Sequence, residues 1–271
     1  NLVWGVRCSA IPQRGISATR IVVSLCSWLS RLLPCAIVCC AESARVAHAE
    51  IGYDQSKMRV IPNGYNLSQF NRTATLRQQA RSTFGLGDGD AVIGIVGRFD
   101  PLKDHGNFVH AAAVVASKVP HVKFLMVGQD IDSANVALNG WLAETGCADK
   151  FVLAGARDDI PDCLSAMDVF CLSSSKEGFP NVVCEAMAMK VPCVVTDAGD
   201  AAEIVADTGI VVAPRNSAAL AEAMQTMICK SASERIHLGE LARCRIEENY
   251  SIEIAAARFE KLYEQVLDNC H

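Results

Sequence analysis

The sequence predicts an α/β protein built on a doubly wound parallel sheet, because short apolar runs alternate with helical patterns. Apolar residues recur at helical spacing between the runs, for example at 108–119 and 138–144. Parallel strands joined by crossover helices produce this alternation. The predicted strands are 91–96, 122–127, 151–153, 168–172, 192–195 and 209–212, and helices are predicted at 217–228, 233–248 and 252–267.

The first 65 residues carry too little structure to close a sheet alone. They contain strand-like runs at 2–6 and 35–40, a helical pattern at 19–33 and a short helix at 43–50. We therefore expect them to be the end of another, largely absent domain. The predicted division is a remnant at 1–65, a main doubly wound domain at 66–250 and a final helix at 251–271.

Composition narrows the class of function. Hydrophobic residues make up 51% of the 271 residues, which indicates a globular protein with a sizeable core. The 25 basic and 30 acidic residues give a net charge of -5, so nucleic-acid binding is not expected. Thirteen cysteines occur without a C-x-x-C pair, mostly in apolar runs, and are expected to be core residues in a reducing cytosol.

The apolar stretch 21–40 is nearly long enough to span a bilayer. It is interrupted by Arg31, Pro34 and three serines, so a helix followed by a short buried strand explains it better. No charged-then-apolar signal sequence is visible.

Polar and glycine residues follow the predicted strands and outline one crevice. Arg98 and Lys103 follow the first strand of the main sheet, and the segment 173–181 follows the fourth. Other loops of this kind start at Gly128, at 155–157 and at 196–199. In an open parallel sheet, ligands bind beyond the carboxyl ends of the strands.

The segment 177–185 has the features of an anion site. Pro180 suits the first position of a helix, and the N–H groups of Asn181 and Val182 would then face an anion. Glu177 precedes the helix and Glu185 lies in its second turn, so each carboxylate would accept hydrogen bonds from sugar hydroxyls beside the anion. Taken alone, Glu185 is also explained as an ordinary acid early in a helix.

Arg98 and Lys103 supply positive charge to the same crevice. An arginine directly after a buried strand needs a partner, and a diphosphate is a suitable one. A departing diphosphate gains negative charge, so both cations would act most strongly in the transition state. In isolation, both residues are also explained as surface cations beside a helix start.

Three segments together resemble retaining glycosyltransferases of glycosyltransferase family 4, which have the GT-B fold. They are V-I-P-N-G at 60–64, Gly97-Arg98 with Lys103, and E-G-F-P-N-V-V-C-E at 177–185. The likeness extends to 196–199 and 203–205 and covers the chain from about residue 2 to the end. It implies one complete Rossmann-like domain that binds the donor, preceded by the tail of a truncated acceptor-binding domain, with the final helix crossing back onto the latter.

The resemblance also implies roles for individual residues. Arg98 and Lys103 would hold the donor diphosphate, Glu177 would meet the hydroxyls of the transferred sugar, and these three are the expected catalytic residues. Glu185 would hold the ribose, and the loop around Arg157 would lie near the base. The expected donor-binding set is completed by Gly97, Gly178, Phe179, Pro180, Asn181 and Val182.

The implied reaction is transfer of a hexose or amino-hexose with retention at the anomeric carbon. A UDP-sugar is the expected donor, with GDP and ADP left open, and the acceptor would be a saccharide or lipid-linked saccharide, as in cell-surface polysaccharide synthesis. No metal or other cofactor is expected, since the nucleotide sugar is a co-substrate. The expected location is cytoplasmic, with peripheral association at the inner face of the membrane left open.

Two alternatives remain at this point. One is a UDP-sugar epimerase of GT-B fold, and the other is a non-catalytic fragment that binds nucleotide sugar. Because most of the first domain is missing, we expect the fragment alone to be weakly active or inactive.

Other positions give weaker expectations. Arg7 would either face the crevice or serve a structural role, and Asp200 with Glu203 matches a capping box. The two Asp-x-Asp patterns, at 88–90 and 130–132, match a metal-binding motif that arises readily by chance. His105 and His110 are expected on helix surfaces.

Overall fold

A computed structural model describes residues 1–7 and 18–268 and contains two parallel β-sheets. The smaller sheet has the order β1-β2-β3, with β1 at Val3–Val6, β2 at Ala36–Cys39 and β3 at Met58–Val60. Val6 lies opposite Cys39, and Cys39 lies opposite Val60. Helices α1 (Ala18–Leu29) and α2 (Glu42–Glu50) lie between these strands in the chain.

The larger sheet has six parallel strands in the order β6-β5-β4-β7-β8-β9. Its strands are β4 (Ala91–Val96), β5 (Val122–Val127), β6 (Phe151–Leu153), β7 (Val169–Leu172), β8 (Cys193–Thr196) and β9 (Ile210–Val212). The central strands β7 and β8 are buried along their whole length, as expected for strands covered on both faces. The strand order reverses between β4 and β7, which makes this the switch point of the sheet.

Helices cover both faces of the larger sheet. They are α3 (Ala74–Thr83), α4 (His105–Lys118), α5 (Val136–Glu144), α6 (Ile160–Ser165), α7 (Asn181–Ala188), α8 (Ala201–Val205), α9 (Ser217–Ile228) and α10 (Ala232–Tyr250). A further helix, α11 (Ile252–Asp268), follows α10. Helix α4 packs against α9, and α7 packs against α10. Two apolar clusters result, one built around Phe108 and Phe124 and the other around Phe170 and Leu172.

The doubly wound parallel sheet predicted from the sequence is confirmed, and two local predictions were incomplete. No strand was predicted at the position of β3, and no helix was predicted in the polar stretch 66–90, which contains α3. Helix α1 ends at Leu29 and not near residue 33, because the chain turns before β2.

Helix α11 packs against the smaller sheet. Leu262 and Val266 of α11 form a small buried cluster with Ala36, Val38 and Ile61. The chain thus returns from the larger sheet to the smaller one at its end. The division at residues 65 and 250 stays a prediction.

Several cysteines are core residues, as their apolar surroundings in the sequence suggested. Burial raises the pKa of Cys39 to about 11 and that of Cys163 to about 12, so both thiols stay protonated near neutral pH. Among residues 1–7 and 18–268, no helix has the length and apolar character needed to cross a membrane.

Candidate donor site

The loops after β4 and β7 meet at the switch point of the larger sheet through one ion pair. Lys103 Nζ lies 2.6 Å from Glu177 Oε1, and Ser174 Oγ also donates to Glu177 Oε1 across 2.6 Å. Both charged side chains are mostly buried, with 23% of Lys103 and 12% of Glu177 exposed. The sequence prediction placed these two residues in one crevice, and the structure brings them into direct contact.

Further hydrogen bonds fix the two loops relative to each other. Ser175 N donates to Leu102 O across 2.8 Å, and Ser173 Oγ donates to Lys103 O across 2.8 Å. Thr196 Oγ1, at the end of β8, donates to Ser174 O across 2.6 Å. Hydrogen bonds between the loops after β4 and β7, and one from the end of β8, therefore hold the backbone around the ion pair in place.

Arg98 lies beside this ion pair in sequence but has a more open environment. Its Nη2 atom lies 2.9 Å from Asp100 Oδ2, and 66% of the side chain is exposed. The backbone of the preceding Gly97 lies so close to Gly128 that a Cβ atom on Gly128 would lie 2.0 Å from Gly97 O. The two glycine loops after β4 and β5 can approach each other because Gly128 has no side chain.

Helix α7 begins at Asn181, with Pro180 just before it. Pro180 therefore lies one residue earlier relative to the helix than the sequence suggested. The N–H groups of Asn181 and Val182 belong to the first turn, where they have no partner within the helix. Phe179 is buried with its ring centroid 5.8 Å from that of Tyr250, which anchors the start of the helix.

The carbonyl group of Gly178 is held from two directions. Asp200 N donates to Gly178 O across 3.0 Å, and Ser43 Oγ donates to it across 3.2 Å. Gly199 has a φ of +60°, and a Cβ atom there would lie 2.3 Å from Gly178 O. The loop before α7 therefore requires a glycine at position 199.

Glu185 lies in α7, away from the cations Arg98 and Lys103 along the chain. Burial raises the pKa of its carboxyl group, and no charge is among the causes of that shift. Hydroxyl donors stabilise a carboxylate in such a site, because their hydrogen bonds replace the hydration that burial removes.

Arg157 belongs to a separate group. Its guanidinium forms an ion pair with Asp159 at 2.5 Å, and it lies over the ring of Phe84, 5.6 Å from the centroid. The structure thus groups Lys103, Glu177 and Gly178 closely, while Arg157 contacts residues after β6 and α3.

The expected capping box at Asp200 is wrong. Asp200 precedes α8 but makes no capping bond there; its two carboxylate oxygens accept hydrogen bonds from Glu42 N (2.7 Å) and Ser43 N (2.9 Å). These N–H groups start α2, and a carboxylate is favoured at a helix N-terminus. Asp200 therefore joins the part of the chain before residue 65 to the loop before α7.

The expectation for His105 is also wrong, whereas His110 is exposed as expected. His105 is 2% exposed and stacks on Phe99 with a centroid distance of 5.6 Å. Burial holds the pKa of its ring down, to about 4, and outweighs the nearby backbone of Gly97, which favours the protonated ring. Phe99, in the loop after β4, also packs against Trp141 of α5 with a centroid distance of 5.6 Å, and the helical pattern alone did not reveal this aromatic environment.

The two Asp-x-Asp patterns have local roles in turns. Asp90 Oδ2 accepts a hydrogen bond from Gly87 N across 2.7 Å, and Asp132 Oδ1 accepts one from Ala134 N across 2.8 Å. Across the described ranges, no three His, Cys, Asp or Glu side chains are grouped closely enough to hold a metal ion.

A cavity of about 650 Å³ lies between the smaller sheet, α7 and α11, and Arg7 lines it. Asn63 and Tyr65 line the same cavity, and neither was among the site residues predicted from the sequence. Asn63 belongs to the segment V-I-P-N-G at 60–64, which carries part of the family resemblance, and this was the available signal.

A six-stranded doubly wound parallel sheet together with a smaller parallel sheet is the architecture of the GT-B class of α/β proteins. The family model described as "Glycosyl transferases group 1" matches residues 90–230. The chain belongs to that family.

Curated relatives match parts of this chain. UDP-Gal:alpha-D-GlcNAc-diphosphoundecaprenol alpha-1,3-galactosyltransferase of Escherichia coli is 31% identical over 158 residues, which is 58% of this chain and 41% of that protein. N-acetyl-alpha-D-glucosaminyl L-malate synthase of Bacillus anthracis is 25% identical over 191 residues, or 70% of this chain and 49% of that protein. The chain thus spans about half the length of these relatives.

Solved structures share the fold over 70% to 97% of this chain. HepE of Anabaena in complex with UDP-glucose superposes with a TM-score of 0.85 and 20% identity, covering 97% of this chain and 72% of that one. The C-terminal domain of a glycosyl transferase group 1 family protein (LpcC) from Francisella tularensis is 27% identical with a TM-score of 0.61. This alignment covers 70% of the present chain and 100% of that domain.

Proposed function

We propose that this chain is the donor-binding part of a retaining glycosyltransferase that uses a nucleoside diphosphate sugar. The transferred group is a hexose or amino-hexose, and the proposed donor is a UDP-sugar. The acceptor is a saccharide or a lipid-linked saccharide, as in the synthesis of cell-surface polysaccharides. No metal or other cofactor is part of the proposal.

The observation that carries this proposal is the arrangement at the switch point of the larger sheet. Lys103 and Glu177 are paired there at 2.6 Å, Arg98 follows the same strand as Lys103, and α7 starts four residues after Glu177. Cations and helix N-termini stabilise a diphosphate by charge-assisted hydrogen bonds. The rigid backbone of the two loops keeps these groups in place before the ligand arrives.

Each residue has a proposed role in binding the donor. Arg98, Lys103 and the first N–H groups of α7 hold the diphosphate, whose negative charge increases as the bond to the anomeric carbon breaks. Glu177 accepts hydrogen bonds from the sugar and also positions Lys103. Glu185 accepts hydrogen bonds from the ribose, and the loop at Arg157 lies near the base.

The names of relatives support the choice of substrate class. The Escherichia coli relative is named for a UDP-galactose donor and a diphosphoundecaprenol-linked acceptor, and HepE is described with UDP-glucose. Retention at the anomeric carbon is proposed from the resemblance of 177–185 to family 4.

We further propose that the protein acts at the cytoplasmic side of the membrane, associated peripherally with its surface. The support is the proposed lipid-linked acceptor, whose sugar must be presented at a bilayer surface. Residues 1–65 carry seven basic and three acidic side chains, in a chain whose net charge is -5. An anionic surface would attract this end of the protein.

The proposal is tested by isothermal titration calorimetry with UDP, GDP, ADP and uridine. We expect UDP to bind more tightly than uridine by at least tenfold, because each charge-assisted contact to a diphosphate contributes roughly 1.5–3 kcal/mol. Equal affinities for UDP and uridine, or no binding of any nucleoside diphosphate, would contradict the proposal. Incubation of UDP-N-acetylglucosamine without acceptor tests the epimerase alternative, since a glycosyltransferase leaves the sugar configuration unchanged.

A further inference from the structure

A row of hydrogen bonds runs from the smaller sheet to the first residue of α7. Arg7 Nη1 donates to Asn63 Oδ1 across 2.7 Å, and Asn63 Nδ2 donates to Asn181 Oδ1 across 2.8 Å. Tyr65 also donates to Asn181 Oδ1, through its hydroxyl group, across 2.7 Å. Two residues of the first 65, Asn63 and Tyr65, thus bond to the side chain of Asn181, and Arg7 bonds to Asn63.

The direction of each bond in this row follows from Arg7. A guanidinium has donors and no acceptor, so the oxygen of Asn63 must face Arg7. The NH2 group of Asn63 then faces Asn181. Because this group donates, the side-chain oxygen of Asn181 must face Asn63. The orientation of both amides, which a side-chain outline alone leaves ambiguous, is therefore set by a neighbouring charge.

Tyr65 reinforces the same orientation. Its side chain is buried, and burial raises the pKa of its hydroxyl group, which stays protonated and can donate. Asn181 Oδ1 thus accepts two hydrogen bonds at once. Because a primary amide carries its oxygen and its NH2 group on different sides, Asn181 Nδ2 is turned away from Asn63 and Tyr65.

Asn181 occupies a position where an extra donor matters. It is the first residue of α7 and is exposed, and its own N–H is one of the helix-start donors proposed to meet the diphosphate. A side-chain NH2 group beside those N–H groups adds to the donors available to an anion. An Asn181 in the opposite orientation would instead present an oxygen, which repels a phosphate.

We propose that the side-chain NH2 group of Asn181 contacts the donor diphosphate and that Asn63 and Tyr65 are positioning residues that hold it in that orientation, with Arg7 setting the direction of the row. This inference rests on the proposed nucleoside diphosphate site and adds to it. It assigns a function in donor binding to Arg7, Asn63 and Tyr65. These residues lie in the segment 1–65, which was expected to be the remnant of an acceptor-binding domain.

The test is a double-mutant cycle followed by calorimetry with UDP and uridine. Asn181→Ala is expected to weaken UDP binding about tenfold, the loss typical of one hydrogen bond to a charged group. Asn63→Ala and Tyr65→Phe are each expected to weaken it roughly three- to tenfold. In the Asn181→Ala background, the same two changes should cause no further loss, and uridine affinity should stay unchanged throughout.

Conservative and control variants separate positioning from a structural role. Arg7→Lys keeps a donor for Asn63 and should bind UDP as the wild type does, whereas Arg7→Met should lose affinity. Thermal unfolding of each variant reports on folding. If Asn63→Ala does not fold, Tyr65→Phe decides alone, because removal of one hydroxyl group leaves the ring in place.

The inference is overturned if Tyr65→Phe and Asn63→Ala fold and bind UDP like the wild type. It is also overturned if either causes the same loss with and without Asn181, since that result marks a structural role. If the wild type binds UDP and these variants do too, the inference alone fails. If the wild type binds no nucleoside diphosphate, the proposed function fails with it.

Discussion

Lys103 Nζ and Glu177 Oε1 lie 2.6 Å apart and connect the loops that follow β4 and β7, the two strands between which the strand order reverses. This ion pair affects both the stability of the protein and the position of Lys103. Both side chains are mostly withdrawn from water, and removal of one partner leaves the other as an uncompensated charge. The same contact holds the ammonium group of Lys103 at the position where a ligand of a doubly wound sheet binds.

Lys103→Ala should weaken UDP binding much more than uridine binding. We expect a loss of about 1.5–3 kcal/mol for UDP, since a charge-assisted bond is removed and Glu177 is left facing the diphosphate. Arg98→Ala should act in the same direction. Calorimetry measures both ligands, with Lys150→Ala as the control, because Lys150 donates to Pro120 O at the other end of the strands. Equal losses for UDP and uridine would argue against the diphosphate assignment.

Glu185→Gln should weaken uridine and UDP by the same factor, about tenfold, because the ribose is common to both ligands. The change keeps the size of the side chain and removes its charge. Glu222→Gln, at an exposed position of α9, is the matched control and should bind both ligands as the wild type does. Unchanged uridine affinity in Glu185→Gln would remove the ribose role.

Gly199→Ala should both destabilise the protein and weaken UDP binding. A Cβ atom there would lie 2.3 Å from Gly178 O, so the loop before α7 must shift. Gly85→Ala is the control: Gly85 has a φ of +65° with open space around its Cβ position, so it should lose about 1–2 kcal/mol of stability and no affinity. Urea unfolding and calorimetry compare the two variants. An equal effect of both on UDP binding would show that the close contact at Gly178 is unimportant.

Asp200→Ala should lower the free energy of unfolding by about 1–3 kcal/mol, because the two N–H groups that start α2 lose their acceptor. Asp207→Ala, an exposed acid of the same region, should change stability by less than about 0.5 kcal/mol. Chemical unfolding monitored by circular dichroism gives both values. A stability loss confined to Asp207→Ala would contradict the role assigned to Asp200.

His105 should make stability depend on pH. Its pKa is lowered in the folded protein to about 4, below the value of about 6.5 expected in the unfolded chain. The folded state then binds fewer protons, so its stabilisation is complete above about pH 6.5 and is lost as pH falls from there toward 4. The loss should reach about 3 kcal/mol at most.

His105→Phe keeps a ring against Phe99 and cannot titrate. Urea unfolding at pH 7.5 and 4.5 should show a smaller loss of stability on acidification for this variant than for the wild type. The exposed His121 provides the control, since His121→Asn should leave the pH dependence as it is. Identical pH dependence in wild type and His105→Phe would refute the assignment.

The sequence predicted the main sheet well because its strands carry their own signal. Runs such as 91–96 and 192–195 are apolar throughout, as is typical of buried parallel strands. The ion-pairing residues Lys103 and Glu177 were also predictable, since both follow such runs. The three-residue strand β3 and the polar helix α3 have no comparable pattern, and α3 depends on partners far along the chain.

Arg81 of α3 illustrates that dependence. It is 2% exposed and donates to Gly87 O, Asp90 O and Ala166 O. Nothing in its own segment predicts that a charged residue will be buried. The capping box predicted at Asp200 was wrong for the same reason. Its carboxylate accepts hydrogen bonds at the N-terminus of α2, 158 residues away along the chain, and not at the start of its own helix. Long-range hydrogen bonds of this kind are set by tertiary packing and have no local sequence signature.

A crystal structure of this chain with UDP bound would show the position of the diphosphate. We expect the diphosphate to lie between Lys103, Arg98 and the first N–H groups of α7, with the ribose hydroxyls at Glu185. A nucleotide bound in another place, with these side chains turned toward solvent, would contradict it.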